Sequence, residues 1–167
     1  MGIPSIGLYA KDDTATVSTW AVGTVKADTV SAQLEVHVWN NYKGTTASTN
    51  MIECTVGAFD GNGKDVDPIA ADKWIQVNVN DEKDSSSNPV FTAIGGTTTA
   101  AIRGLGHAAV SGDPVTGDVI EGIVNDGAIA TTASQVAVAK CLFQIAVPAA
   151  AAPGTTGFKI RFQGYYV

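Results

Sequence analysis

The sequence predicts an all-β domain, on three observations. β-Branched residues dominate the apolar set, with 19 Val, 12 Ile and 18 Thr against only 4 Leu. Such side chains crowd a helix at χ1 and suit a pleated surface. Apolar residues recur at every second position in several short runs, and no run carries a convincing helical period. The 18 glycines supply the turns between them. Strands with one apolar face must bury that face against a second layer, so the expected architecture is a two-sheet β-sandwich.

The elements follow in chain order. A first strand is expected over residues 16–25. From Val30 the chain reads V-S-A-Q-L-E-V-H-V-W-N-N, in which Leu34, Val36 and Val38 alternate with Gln33, Glu35, His37 and Trp39. Asn40-Asn41 and Lys43-Gly44 end that strand with turn chemistry. Ile52, Cys54, Val56 and Ala58 form the next alternating set, closed by the turn signal Asp60-Gly61-Asn62-Gly63-Lys64-Asp65. Ile75, Val77 and Val79 mark a third strand over 73–79. Residues 81–89 are polar and charge-dense and read as an exposed loop, and 90–94 is a short strand closed by Gly95-Gly96. Between 97 and 118 repeated Gly and Pro break every candidate element, which predicts a long irregular crossing with one short strand near 100–103. Order returns at 135–147, where Ala137, Ala139, Cys141, Phe143, Ile145 and Val147 share one face and Lys140 and Gln144 the other. The last strand, 158–163, sets Phe158, Ile160 and Phe162 against Lys159, Arg161 and Gln163. No internal repeat is present. The expected division is an N-terminal arm or first strand over 1–28 and a sandwich domain over 29–167.

Composition excludes several function classes. The 167 residues carry 16 acidic and 10 basic side chains, a net charge of −6. Such a chain offers no cationic field to phosphates, so nucleic acid and anionic membranes are not expected partners. No apolar run approaches the length of a membrane span. Residues 1–5 lack a basic stretch followed by an apolar one, which predicts arrival at the final location from the cytoplasm rather than by a signal peptide.

No motif predicts catalysis, a cofactor or a metal. Cys54 and Cys141 both fall on apolar faces, where the expected state is a pair of buried free thiols. An inter-sheet bridge is the alternative. His37 lies on the polar face of its strand and His107 in a Gly/Ala-rich loop, and both read as surface side chains. Asp60, Asn62, Asp65 and Asp67 fail the EF-hand spacing, because Lys64 and Ala71 stand where ligands are needed. They read instead as a hairpin loop with Asx turns and positive φ at Gly61 and Gly63. Gly104-Leu105-Gly106 lacks the third glycine and the helix of a dinucleotide site. The aromatic residues remain. Alternation turns Trp39 and Trp74 away from the apolar faces of their strands, which calls for a covering layer or a subunit contact. Trp20, Trp39 and Trp74 are the candidate contact residues, and cover by the N-terminal segment of the same chain is the competing explanation.

At this level a resemblance becomes visible. E-V-H-V-W-N-N at 35–41, the D-G-N-G hairpin at 60–63, K-W-I-Q-V at 73–77, A-I-G-G at 93–96 and V-P-A-A-A-A-P-G-T-T-G-F-K-I-R-F at 147–162 together resemble an immunoglobulin-like virion protein of tailed bacteriophages. The resemblance covers 17–167, and its motifs are fold-making rather than catalytic. It implies an Ig-like β-sandwich and a non-enzymatic place in a particle, foremost as a capsid decoration or accessory protein. The implied partners are the major capsid protein or neck and tail subunits, with homo-oligomers expected. Neck, collar, tail and baseplate positions, and a carbohydrate- or receptor-binding module, are the alternatives. On this reading, removing residues 1–17 leaves a folded domain that fails to join the particle.

Overall fold

Most runs with an apolar residue at every second position become strands in the computed structural model, which describes residues 2–107 and 118–166. The strands are β1 (Ile6–Ala10), β2 (Thr29–Val30), β3 (Leu34–Asn40), β4 (Met51–Asp60), β5 (Ile75–Val79), β6 (Thr92–Ile94), β7 (Ala100–Ala101), β8 (Val138–Val147) and β9 (Phe158–Tyr166). They form two antiparallel sheets. The larger runs β1-β3-β8-β5-β6, with β2 paired to the far end of β8, and the smaller runs β7-β4-β9. The fold is therefore the all-β sandwich that composition and periodicity predict. One helical turn, α1 (Pro68–Ala71), begins on a proline whose fixed φ suits the first helical position. A 3-10 helix, Thr132–Ala137, leads directly into β8. No helix among the described residues is long and apolar enough to cross a membrane.

The core lies between the sheets. Val36 and Val38 of β3, Ile75 and Val77 of β5, and Ala139, Cys141, Phe143 and Ile145 of β8 face Cys54, Val56 and Ala58 of β4. Phe143 is fully buried and meets Phe162 edge-on, with ring centroids 6.1 Å apart. The opposite face of the larger sheet carries a second, smaller core. There Trp39, Ala137 and Val138 are buried under Tyr9, Tyr42, Ile123 and Ile129. The larger sheet is thus covered on both sides, which explains why β3 is buried from Val36 to Asn40 without alternation.

Two parts of the sequence reading are corrected. Residues 16–25 form no strand. Thr16 makes one bridge to Tyr9, and beyond it Val17, Trp20 and Val22 pack onto the core from an unladdered segment. The first strand is β1, which pairs in register with β3 from Ile6↔Asn40 to Ala10↔Val36. The N-terminal stretch is therefore an edge of the larger sheet and not a free arm. The expected irregular crossing is seen from Thr97 to His107 and at Asp118, with β7 inside it, while 108–117 lie outside the described residues. Gly104 is required there, because a Cβ would collide with the Val136 carbonyl.

Amide side chains, those of Asn40 and Asn78 buried, pin the loops. Asn40 donates to the carbonyls of Thr49 (2.9 Å) and Ile120 (3.1 Å). Asn78 donates to Glu82 and Val90, closing the 81–89 loop at its base. Asn80, at φ 54°, donates to the Arg103 carbonyl and accepts the Lys140 N–H. Each adds a side-chain partner to backbone groups of the irregular segments.

Contrary to the expectation that residues 1–17 can be removed from a folded domain, a chain that begins at residue 18 loses β1 and the Tyr9 and Asp13 contacts over Trp39, so it should lack the cooperative urea unfolding transition of the full chain by far-UV circular dichroism. A native-like transition in that truncation would contradict the structure.

Candidate functional site

The three candidate tryptophans occupy different environments. Trp39 is completely buried, so of the two expectations from alternation it meets the covering layer and its indole is not available as the candidate contact. The alternation itself holds: Trp39 does point away from Val36 and Val38. Its cover comes from the same chain, since Nε1 donates to Asp13 Oδ1 at 2.6 Å and its ring meets that of Tyr42 at 5.6 Å. Trp20 is half-buried and stands edge-on to Phe158 at 5.5 Å. Trp74 is half-buried and packs against the inter-sheet core, and its buried Nε1 has no hydrogen-bond partner among the described residues.

The outer face of the larger sheet is a connected polar surface around His37. That histidine is 1% exposed, not the surface side chain its strand position suggested. Its Nδ1 lies 2.8 Å from Asp13 Oδ1 and its Nε2 lies 3.0 Å from Glu35 Oε1. A carboxylate only accepts, so both contacts are hydrogen bonds only when both ring nitrogens carry protons. Lys140 continues the row, with Nζ 3.5 Å from Glu35 and 2.9 Å from Asp81. Burial disfavours its ammonium, but the two carboxylates outweigh that cost and hold its pKa above the ordinary lysine value. Beside it, Gln33 donates to Gln144 and Gln144 donates to Gln76, both at 2.9 Å. Tyr42 closes the end of this network by donating its hydroxyl to the Asp13 carbonyl.

The remaining motifs resolve into architecture. Asp60 is buried and its carboxylate accepts the backbone N–H groups of Asn62, Lys64 and Val66. Those bonds, that from Lys64 foremost, hold its pKa below the ordinary aspartate value. The loop is the Asx-type hairpin the sequence predicts, although only Gly63 (φ 77°) and not Gly61 takes positive φ. No group of three or more His, Cys, Asp or Glu side chains suited to a metal ion occurs among the described residues. His107 is half-buried, with Nε2 3.1 Å from Glu121 but not aligned as a hydrogen bond. Cys54 and Cys141 are free and buried, and burial pushes both thiols up to about 12.

What the structure adds is a seam that no sequence pattern marked. β9 is the last strand of the smaller sheet, and among the described residues no backbone hydrogen bond reaches its outer edge. Its inward side chains Phe158, Ile160 and Phe162 stay only half-buried. Two voids share Phe158 along this edge. One, of about 120 Å³, lies between residues 17–20 and Phe162, with Leu34 and Val36 of the larger sheet among its lining. The other, of about 510 Å³, lies between residues 22–27 and 151–156, with Trp74, Ile145 and Val147 also lining it. At the end of β9, Tyr165 and Tyr166 are 66% and 64% exposed.

The chain matches no protein-family model and no curated protein. Among solved structures it is similar to a family 123 glycoside hydrolase from Clostridium perfringens, with a TM-score of 0.45 and 13% identity. That likeness covers 96% of this chain and 25% of the enzyme, so the chain spans about a quarter of the length of that protein. It carries no assignment of activity.

Two outcomes are expected from these contacts. Asp13→Ala strands the Trp39 and His37 donors without an acceptor, at about 1–3 kcal/mol for each buried group left unpaired. Urea unfolding should show a loss of about 2–4 kcal/mol on that scale, while Asp12→Ala, on an exposed turn, changes stability by less than about 0.5 kcal/mol. Equal effects of the two would remove Asp13 from its central position. For the thiols, the folded pKa of about 12 stands above the reference value of 9.0, so only the unfolded state ionises first. Their contribution is therefore intact below pH 9.0 and is lost progressively as pH rises towards about 12. At pH 8 both should resist an aromatic disulfide reagent in the folded chain and react at once in guanidinium. Fast labelling of the native protein would contradict their burial.

Proposed function

We propose that the chain is a non-enzymatic structural protein of a tailed-bacteriophage particle, an Ig-like β-sandwich that acts by binding other virion subunits, foremost as a capsid decoration or accessory protein. The observation that carries this reading is the open edge of β9 with Tyr165 and Tyr166 at its end. Natural sheets usually shorten, charge or cover an edge strand, because its unpaired N–H and C=O groups invite another chain. Here nine residues of edge are left unpaired, ending in two adjacent exposed tyrosines, a residue type enriched at interface centres. The acidic net charge supports a partner other than nucleic acid. The sequence resemblance described above supplies the particle, and the sandwich supplies the surface.

A second reading, a carbohydrate-binding module, draws on one observation, the void of about 510 Å³ lined by Trp74. Saturable binding of host-cell polysaccharide, lost on Trp74→Ala, would place that reading first.

Quantitative peptide mass spectrometry of purified particles, referenced to the most abundant shell protein, tests the main proposal. Abundance comparable to the shell protein is expected for a decoration protein. A handful to a few dozen copies moves the chain to neck, collar, tail or baseplate, and absence overturns the virion reading. Tyr165→Ala with Tyr166→Ala should lower incorporation several-fold without altering the melting temperature, because both side chains are exposed.

A further inference from the structure

We propose that the seam along β9 is a receptor groove for one extended segment of a partner protein, a strand with apolar residues at alternate positions and acidic residues between them. The inference deepens the reading of the chain as an interaction protein and rests on it. Several features of the seam converge on a single strand as the occupant. β9 offers unpaired backbone groups over Phe158–Tyr166, the template for strand addition. The smaller void lies along the inward side of that edge at Phe158, Ile160 and Phe162, and the larger one opens beyond its first residue, so alternate side chains of an added strand would enter the first and the continuing segment the second. The inward residues of β9 are half-buried for the same reason: nothing lies beyond them in their own layer.

The far wall of the groove is residues 17–27. This segment is anchored at its ends, where Val17 N–H donates to Leu8 and Asp28 N–H donates to Val147, and it makes no ladder with β9 among the described residues. The larger sheet continues beneath this wall through β3 and β1. Residues 17–27 and the larger sheet beneath them flank the edge on its open side, which favours a narrow occupant. A lone extended segment is such an occupant.

Charge selects the chemistry of the segment. The outward positions beside the edge carry Lys159 and Arg161, both exposed, with Gln163 following and no acidic residue among them. Lys26 adds a third cation on the far wall. In a chain of net charge −6, three cations beside one edge are a local departure even with Asp67 next to Thr156 at the larger void, and acidic side chains directly across from Lys159 and Arg161 are the matching pairs.

The test uses the full chain and a library of acetylated heptapeptides alternating Val, Ile or Phe with Asp, Thr or Lys. Immobilised protein should enrich peptides with Asp at the intervening positions. The best of these should bind saturably, change the fluorescence of Trp20 and Trp74 at the two voids, and slow amide exchange in β9. Lys159→Glu with Arg161→Glu should weaken it at least tenfold and shift enrichment to Lys peptides. Arg161 also lies over the Phe59 ring at 4.2 Å. If that double variant melts early, Lys26→Glu with Lys159→Glu carries the same test. No enrichment over the double variant, enrichment of Lys peptides by the original chain, or binding without protection of β9 would each overturn the groove. The copy number in particles is read separately, so a chain abundant in virions that enriches no acidic peptide would sink this inference and leave the function standing.

Discussion

One carboxylate, that of Asp13, ties the N-terminal segment to the outer face of the larger sheet. Its Oδ1 meets both the indole of Trp39 and the ring of His37. Without it, the largest side chain of β3 would stand on a sheet face with nothing to satisfy its N–H, and a buried imidazole would lose one of its two partners. Asp13 itself sits at φ 56°, a backbone state that aspartate tolerates better than most residues. The turn that places it also brings Tyr9 and Tyr42 together, with ring centroids 3.9 Å apart. The edge strand, the second core and the polar row through Glu35 and Lys140 are all arranged around this point.

The strands were legible in the sequence where alternation persists over five or more residues, as in β3, β4, β5, β8 and β9. β1 was not, because although Ile6, Leu8 and Ala10 alternate, Gly7 and Tyr9 between them mark no polar face, and the five residues are placed by pairing with β3. The opposite error occurred over 16–25, where β-branched and aromatic residues suggested a strand that finds no ladder partner. Trp39 shows the limit most clearly. Its direction followed from local periodicity, but its burial depends on Asp13, 26 positions away, and on Ile123 and Ile129, more distant still. His37 was misplaced for the same reason. The candidate groove had no local signal at all, since a strand becomes an edge only through strand order.

The asparagines illustrate a middle case. Asn40 was read as a turn residue and does end β3, while Asn78 and Asn80, in and just after β5, carried no reading of their own. What the chain alone does not reveal is that their side chains reach across to carbonyls of other loops, up to 80 positions away for Asn40 and Ile120. Turn propensity and loop clamping use the same short amide, and only tertiary geometry separates them. This economy matters in a sandwich with so few helices, because the irregular segments have no internal ladder to satisfy their own backbone groups.

The open seam follows from unequal sheets. Six strands in one layer cannot be covered by three in the other, so the inner face near β3 and β1 needs another cover. Residues 17–22 provide it with Val17, Trp20 and Val22, which lie on the core without hydrogen-bonding to β9. Such a cover removes apolar surface from water but leaves the backbone of the edge unpaired, and it fills the space loosely, as the two voids show. A laddered strand in the same place would have satisfied the edge and closed the voids together. The inner edge of β9 is paired with β4, while its outer edge stays chemically unsaturated. An interaction surface placed on that edge costs the core nothing, because the strands that carry the fold do not depend on what occupies it.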